Sequence, residues 1–316
     1  LKTVFDSLKA DFGFNLHDQS HRYSVGNSFR TATISFLAPA FNYEKEFNDV
    51  RGNAVKLIGN MYQALNHFIP GHIAKYSDEY EPRAFGDNFQ KWGTSTILIE
   101  SGGWKDDPEK QFIRKINFIA LLSSFKSIAE ESYVNTSSEI YESIPFNDKY
   151  IFDVILRNLT IKSGKEKIKI DIGINLDEFE GPNEKKIYYK SQVDDLGDLS
   201  TFYAYDDYDF EGYTIERASV YEKKVYPLNK IEKIDFYDLY SKGYSTILVK
   251  KLPDEKFTRF PINLALKNKI DTTINIGESA NFVIKKDAKI VYIVINGFLQ
   301  KVEKNRKFEG NGLVIK

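Results

Sequence analysis

Cysteine is absent from this 316-residue chain, so disulfides, thiolate metal ligands and thiol nucleophiles are excluded. Histidine is nearly as scarce. His17, His21, His67 and His72 are the whole supply, so any imidazole-built metal site must draw on these. No apolar run approaches the length needed to cross a bilayer, and a membrane is not an expected partner. Basic residues (44) balance acidic ones (45), and a net charge of -1 gives no reason to expect nucleic acid. The G-x-S-x-G elbow, the phosphate loop and the dinucleotide fingerprint are all missing. No basic and apolar leader is legible at Leu1, and the one methionine is Met61. The expectation is a soluble, bacterial-type chain of open compartment: a processed product, a cloned piece or a natural truncation.

What is present is core-forming material. With 42% hydrophobic and 15% aromatic residues, the chain can fill two domains of ordinary size. Residues 1–131 read as α/β. FGFNLH (12–17), TATISFLAP (31–39) and TSTILIE (94–100) have the character of buried strands. Between Tyr43 and Ile69 the apolar residues Phe47, Val50, Ala54, Leu57, Met61, Leu65 and Phe68 form a helical stripe, stopped by Pro70-Gly71. A second helix is expected from Asp107 as N-cap and Pro108 at the first position, with Phe112, Ile116, Ile119, Leu122, Phe125 and Ile128 facing inward. Such alternation predicts a mixed or parallel sheet covered on both faces.

Residues 132–149 read as a polar linker, and 150–316 as an all-β, mostly antiparallel region: a sandwich or two small β units. YIFDVILRNLTIKSG and KEKIKIDIGINLD alternate as half-exposed strands do, with Ser163-Gly164 as the turn between them.

The candidate chemistry lies at two strand ends. His17 closes FGFNL and Glu100 closes TSTILI, directly before Ser101-Gly102-Gly103. Ligands in α/β proteins gather beyond the carboxyl ends of strands. Imidazole is a natural zinc ligand, and a carboxylate beside a metal-bound water can act as general base. The plainer alternative is a hydrogen-bonded strand end at His17 and a solvated one at Glu100. His21 suits a loop, His67 a helix C-terminus, and His72 has no partner that sequence identifies. The acidic run DDYDFEG (206–212) offers clustered oxygens for Ca²⁺ but lacks the full loop pattern, which favours a solvated loop or edge strand. The many tyrosines beyond residue 150 suit sugar or peptide binding, and equally sheet faces and cores.

FGFNLHDQ, ATISFLAPAFN, RAFGDNFQKWGTSTILIESGG and PEKQFIRKINFIALL together resemble the C-terminal half of a carboxypeptidase A-like zinc carboxypeptidase, over residues 1–131. The resemblance implies a partial mixed-sheet zinc-peptidase fold, with His17 as one zinc ligand and Glu100 as general base. It implies that a desolvated pocket raises the pKa of Glu100. Tyr76 or Tyr80 corresponds loosely to the family's mobile tyrosine, Arg83 is a candidate anchor for a substrate carboxylate, and Phe85 to Phe89 mark the approximate pocket. The family's remaining two zinc ligands come from an H-x-x-E motif, and no histidine here is followed three residues later by glutamate. The expectation is therefore a fragment of a metallocarboxypeptidase that acts on peptides with a free C-terminus. Zinc belongs to the complete enzyme, and the isolated chain is inactive. The alternative is a non-catalytic, peptidase-like binding or structural protein whose β region makes the interactions. Strands missing from the sheet would leave apolar surface open to self-association. A second stretch, TTINIGESANFVIKKDAKIVYIVING, resembles the closing β segment of amidohydrolase-type composite domains and implies a small β-sandwich.

Overall fold

The computed structural model describes residues 2–163, 166–181, 186–268 and 273–316. The chain divides into two units, Leu1–Ile151 and Phe152–Lys316. The first is α/β and the second β-rich.

In the first unit α1 (Lys2–Leu8) leads into β1 (Phe12–Asp18), β2 (Ser24–Val25) and β3 (Ile34–Leu37). Then come α2 (Asp49–Leu65), β4 (Ile73–Lys75), α3 (Phe85–Trp92) and β5 (Ser95–Ser101). α4 (Gln111–Ala129), α5 (Ser138–Ser143) and β6 (Asn147–Asp148) complete it. The four-stranded sheet runs β1-β5-β3-β4. β1 and β5 are parallel, β5 and β3 antiparallel, β3 and β4 parallel. Side chains alternate across a sheet, and the two faces differ sharply. Phe14, Ile97, Ile99, Ile34, Phe36 and Ile73 join the helices α2 and α4 in one apolar core. The opposite face carries Asn15, His17, Thr96, Glu100 and Ser35 by the same alternation. α3 lies over part of this polar face, where a Cβ on Gly86 would stand 3.3 Å from Asn15.

Several sequence expectations need correction. α2 starts at Asp49 because Asn48 accepts the Arg51 N–H and caps it there, and the 43–48 stretch is not helical. α4 starts at Gln111, yet Asp107 still caps it: its carboxylate accepts from the N–H groups of Gln111, Phe112 and Ile113. The buried face of α4 is Ile113, Ile116, Ala120, Ser124 and Ser127. Of the six residues expected to face inward, Phe112, Ile116, Ile119 and Ile128 do pack on the core, whereas Leu122 and Phe125, like Phe118, are largely exposed. The expected linker 132–149 is folded structure. Ser137 caps α5, Tyr141 and Ile144 enter the core of the first unit, and β6 pairs with β2. No helix among the described residues is long and apolar enough to cross a membrane.

The second unit contains two sheets. β7 (Ile151–Ser163), β8 (Glu166–Glu180), β9 (Ile187–Gly197) and β10 (Tyr203–Asp209) belong to the larger, with β11 (Thr214–Arg217). β12 (Ser219–Tyr226), α6 (Phe236–Ser241), β13 (Tyr244–Val249), β14 (Phe257–Thr258) and β15 (Asn263–Ala265) follow. β16 (Phe282–Lys286), β17 (Lys289–Ile295) and β18 (Phe298–Lys301) return to the larger sheet, and β19 (Gly312–Ile315) joins the smaller. In the larger sheet β16–β17, β17–β18, β11–β16, β7–β8 and β8–β9 are antiparallel, in line with the mostly antiparallel expectation, and β7 and β11 are parallel. It curls until β9 meets the segment before β16: Val193 exchanges backbone hydrogen bonds with Gly277 and Glu278. The smaller sheet departs from the antiparallel expectation. β12, β13, β15 and β19 are parallel: the crossover from β12 to β13 runs through α6, β13 reaches β15 by way of β14, and β15 reaches β19 by way of the strands β16 to β18. Val283 and Ile293 of the larger sheet share a core with Ile247 and Leu264 of the smaller, which gives a sandwich-like layer. Ser163 faces Glu166 across the β7–β8 pair; Gly164 of the expected turn lies outside the described residues.

Candidate functional site

β1 and β5 are neighbours in parallel register, and that register sets His17 opposite Glu100. Both therefore point to the polar face. Ser35, fully buried, lies across from Glu100 on the other side. Glu100 is only 8% exposed. Burial raises its pKa above the ordinary 4.5; His17 works against that shift and Asp18 adds to it. A carboxylate held in a partly dry setting beside an imidazole is the arrangement a proton-transfer residue needs. His17 is exposed, its Nε2 3.0 Å from Asn15 Oδ1. Asp18 is held away by Lys110, whose Nζ lies 2.6 Å from its carboxylate.

Tyr76 joins this group. It follows β4 directly, and its phenol is raised by burial, by Tyr23 and by the negative charge of Glu100. Tyr23 and Tyr76 rings lie 6.5 Å apart. The other sequence candidates sit elsewhere. Tyr80 packs edge-on against Tyr43 at 4.9 Å. The Arg83 side chain is 90% exposed and pairs with Glu81. Phe85 opens α3 at the rim and is exposed.

Gln19 is the residue that sequence reasoning passed over. Its Nε2 donates to Ala32 O and Ser35 Oγ, both at 2.9 Å, and its Oε1 accepts from Asn147. Its backbone N–H donates to Ser101 O. One buried amide thus ties the ends of β1 and β5 to the strand beside them. The signal was available in HDQSH, since Gln19 has the same strand parity as His17. Gly102 explains the double glycine after Glu100. Its N–H donates to Thr33 O, and a Cβ there would stand 2.0 Å from Ala32 O. Gly102→Ala is expected to cost about 1–3 kcal/mol through this backbone clash, read as a lower urea midpoint; an unchanged midpoint would show the turn yields freely.

Of the remaining histidines, His72 is held in the structure of the first unit. His72 Nδ1 lies 2.9 Å from Thr31 O, its ring packs on Trp104, and burial lowers its pKa. His67 follows the α2 C-cap, which is Asn66, so it does not cap the helix itself. His17 and His21 share no helix, because β1 ends at Asp18. Three of the four DDYDFEG acids are held by protein partners: Asp207 by Arg157, Asp209 by Asn158 and Glu211 by Lys169. Among the described residues no group of three or more His, Asp or Glu could hold a metal ion.

No family model matches the chain, and no curated protein matches it. Among solved structures, an N-acyl-D-glutamate deacylase from Bordetella bronchiseptica, complexed with zinc and a phosphonate inhibitor, is similar at 19% identity. The match covers 32% of this chain and 19% of that one, with a TM-score of 0.22. At that score the likeness carries no argument about fold or chemistry.

Proposed function

We propose that the first unit carries the general-base side of a metallocarboxypeptidase-type site, with Glu100 as base and His17 as one metal ligand. The observation that carries this reading is the in-register pairing of His17 with a buried Glu100 of raised pKa. Tyr76, coupled to Glu100, is the tyrosine that supports it best. The raised pKa favours a carboxylate that takes a proton from water and returns it to a leaving amine. The substrate class is a peptide with a free C-terminal carboxylate.

The residues present do not fit a complete zinc centre. A catalytic zinc takes three protein ligands, and His17 has no companions of that kind among the described residues. The H-x-x-E pair would come from sequence outside residues 1–316, and the chain alone is proposed to be inactive. The test compares this chain with the same chain extended by its upstream coding sequence. Zinc content and cleavage of a blocked dipeptide with a free C-terminus are measured on both. Stoichiometric zinc and hydrolysis only in the extended chain are expected. An extended chain with neither would favour the second reading, a non-catalytic peptidase-like protein whose β-rich unit makes the interactions. The shortage of ligands already speaks for that alternative.

Self-association is part of the same proposal. β1 ends the sheet order, and the adjoining α4 exposes Phe118, Leu122 (57% exposed) and Phe125, while Phe14 of β1 packs on Phe125. An unpaired edge beside an apolar stripe suits a second copy of this chain. Sedimentation velocity should show a dimer that Phe118→Ser/Leu122→Ser weakens by roughly tenfold or more; a wild-type chain that stays monomeric at high concentration would remove the idea.

A further inference from the structure

The second unit holds a cleft that the peptidase reading does not use. It has a volume of about 490 Å³ and lies between β12, the edge strand of the smaller sheet, and the segment leading into α6. Ligand sites of small molecules commonly span ~300–1,000 Å³. The register of β12 against β13 shifts between Tyr221 and Val225. Such bulges re-aim side chains at sheet edges. Tyr221 and Tyr226 form an aromatic wall, with rings 6.3 Å apart, and Tyr221 is steadied by Tyr244 at 5.1 Å.

The charges lining this cleft are uneven once their partners are counted. Asp235 and Asp238 both line it. Asp235 accepts the Asp238 N–H as the α6 cap, and the Asp238 carboxylate takes Lys242 through both oxygens, at 2.7 and 2.8 Å. Lys224, Lys230 and Lys233 also line it, and none forms an ion pair among the described residues. Lys224 Nζ sits 4.8 Å from the centre of the Tyr226 ring. The nearby Glu232 is directed to Arg259 at 3.7 Å instead. The cleft therefore presents three lysines without ion-pair partners around a tyrosine wall, an excess of positive charge over the Asp235 carboxylate, which caps α6.

We propose that this cleft binds a short acidic carbohydrate, one bearing carboxylates on successive rings. Lysines are mobile point charges that suit spaced anions better than one planar carboxylate, where arginine is preferred. Tyrosine offers a flat apolar face with a hydroxyl at its rim, which matches a sugar ring. The inference stands on the second unit alone and is independent of the peptidase reading.

Calorimetric titration of the full chain with trigalacturonate, maltotriose and inorganic phosphate tests it. Saturable binding of trigalacturonate, with none of maltotriose, is the expected result. Lys230→Gln/Lys233→Gln should weaken it roughly tenfold, and added salt should do the same. Both lysines are exposed, so the variant is expected to keep its thermal midpoint. Lys224→Gln alone, with a smaller loss, serves as the second variant should the first not fold. Equal binding of maltotriose, equal binding of phosphate, no binding of trigalacturonate, or lysine variants that bind unchanged would each overturn the proposal.

Discussion

Glu100→Gln, made in the chain extended by its upstream sequence, is expected to lower hydrolysis by about 10²–10⁴-fold, the usual contribution of a general base, while leaving zinc content unchanged. The same substitution is expected to stabilise the fold at neutral pH. Burial raises the pKa of Glu100 in the native state above 4.5. In the interval from 4.5 upward to that raised value, the native state holds more protons than the unfolded state. Stability therefore falls as pH rises through the interval, and the penalty persists above it. Glutamine cannot ionise, so its thermal midpoint should exceed wild type at pH 7. The difference should vanish as pH drops below the ordinary glutamate range. A buried carboxylate retained at a cost in stability is what a functional site looks like. Equal midpoints at pH 7 together with full activity would remove Glu100 from the mechanism.

Arg51→Met is the second large effect, and it concerns the fold that holds the site. Arg51 is 1% exposed in the first turn of α2. Its guanidinium donates to Ala38 O, Lys45 O and Asp78 Oδ2, the last at 2.8 Å. These contacts tie the end of β3 to the segment that follows β4. Tyr141, its hydroxyl pushed up to about 12 by burial, accepts the Ala38 N–H beside them. Burial by itself would raise Asp78, but hydrogen bonds from Arg51 and Lys45 outweigh it and hold the carboxyl below 3.8. Methionine fills part of the volume and leaves the acceptors unpaired. Breaking a buried pair from one side costs about 3–5 kcal/mol, and the lower end applies because Asp78 keeps some hydration. Urea denaturation should show it, and Arg51→Met/Asp78→Asn should recover the part owed to the stranded charge. Asp78 contributes stability above 3.8 that is lost as pH falls through its lowered native value, so the gap between wild type and variant should narrow in acid. A loss below about 1 kcal/mol would mean that water replaces the guanidinium without difficulty.

Local periodicity made much of the fold legible. The runs at 12–17 and 94–100 became β1 and β5 within a residue at each end, and Asp107 was identified as a cap although its helix starts later. Alternation also made the curled larger sheet readable as antiparallel β. The parallel smaller sheet was hidden, because its short strands are separated by irregular segments and strand direction leaves no mark on local pattern. On α4 the apolar spacing was real but ambiguous. Large side chains lie all round this helix, and only its tertiary packing decides that Phe112, Ile116, Ile119 and Ile128 meet the core while Leu122 and Phe125 stay largely exposed.

For the candidate site the division is sharper. Sequence by itself determined that His17 and Glu100 stand at strand ends, that no cysteine chemistry is available, and that an H-x-x-E is missing. The tertiary structure decided that these strands are neighbours in register, that Tyr76 feels the charge of Glu100, and that Arg83 is exposed and paired with Glu81. It also decided that Gln19 binds the strand ends together. The physical reason is that strand pairing and burial depend on residues far apart in the chain. A pKa raised by desolvation exists only once distant segments have closed over the carboxylate.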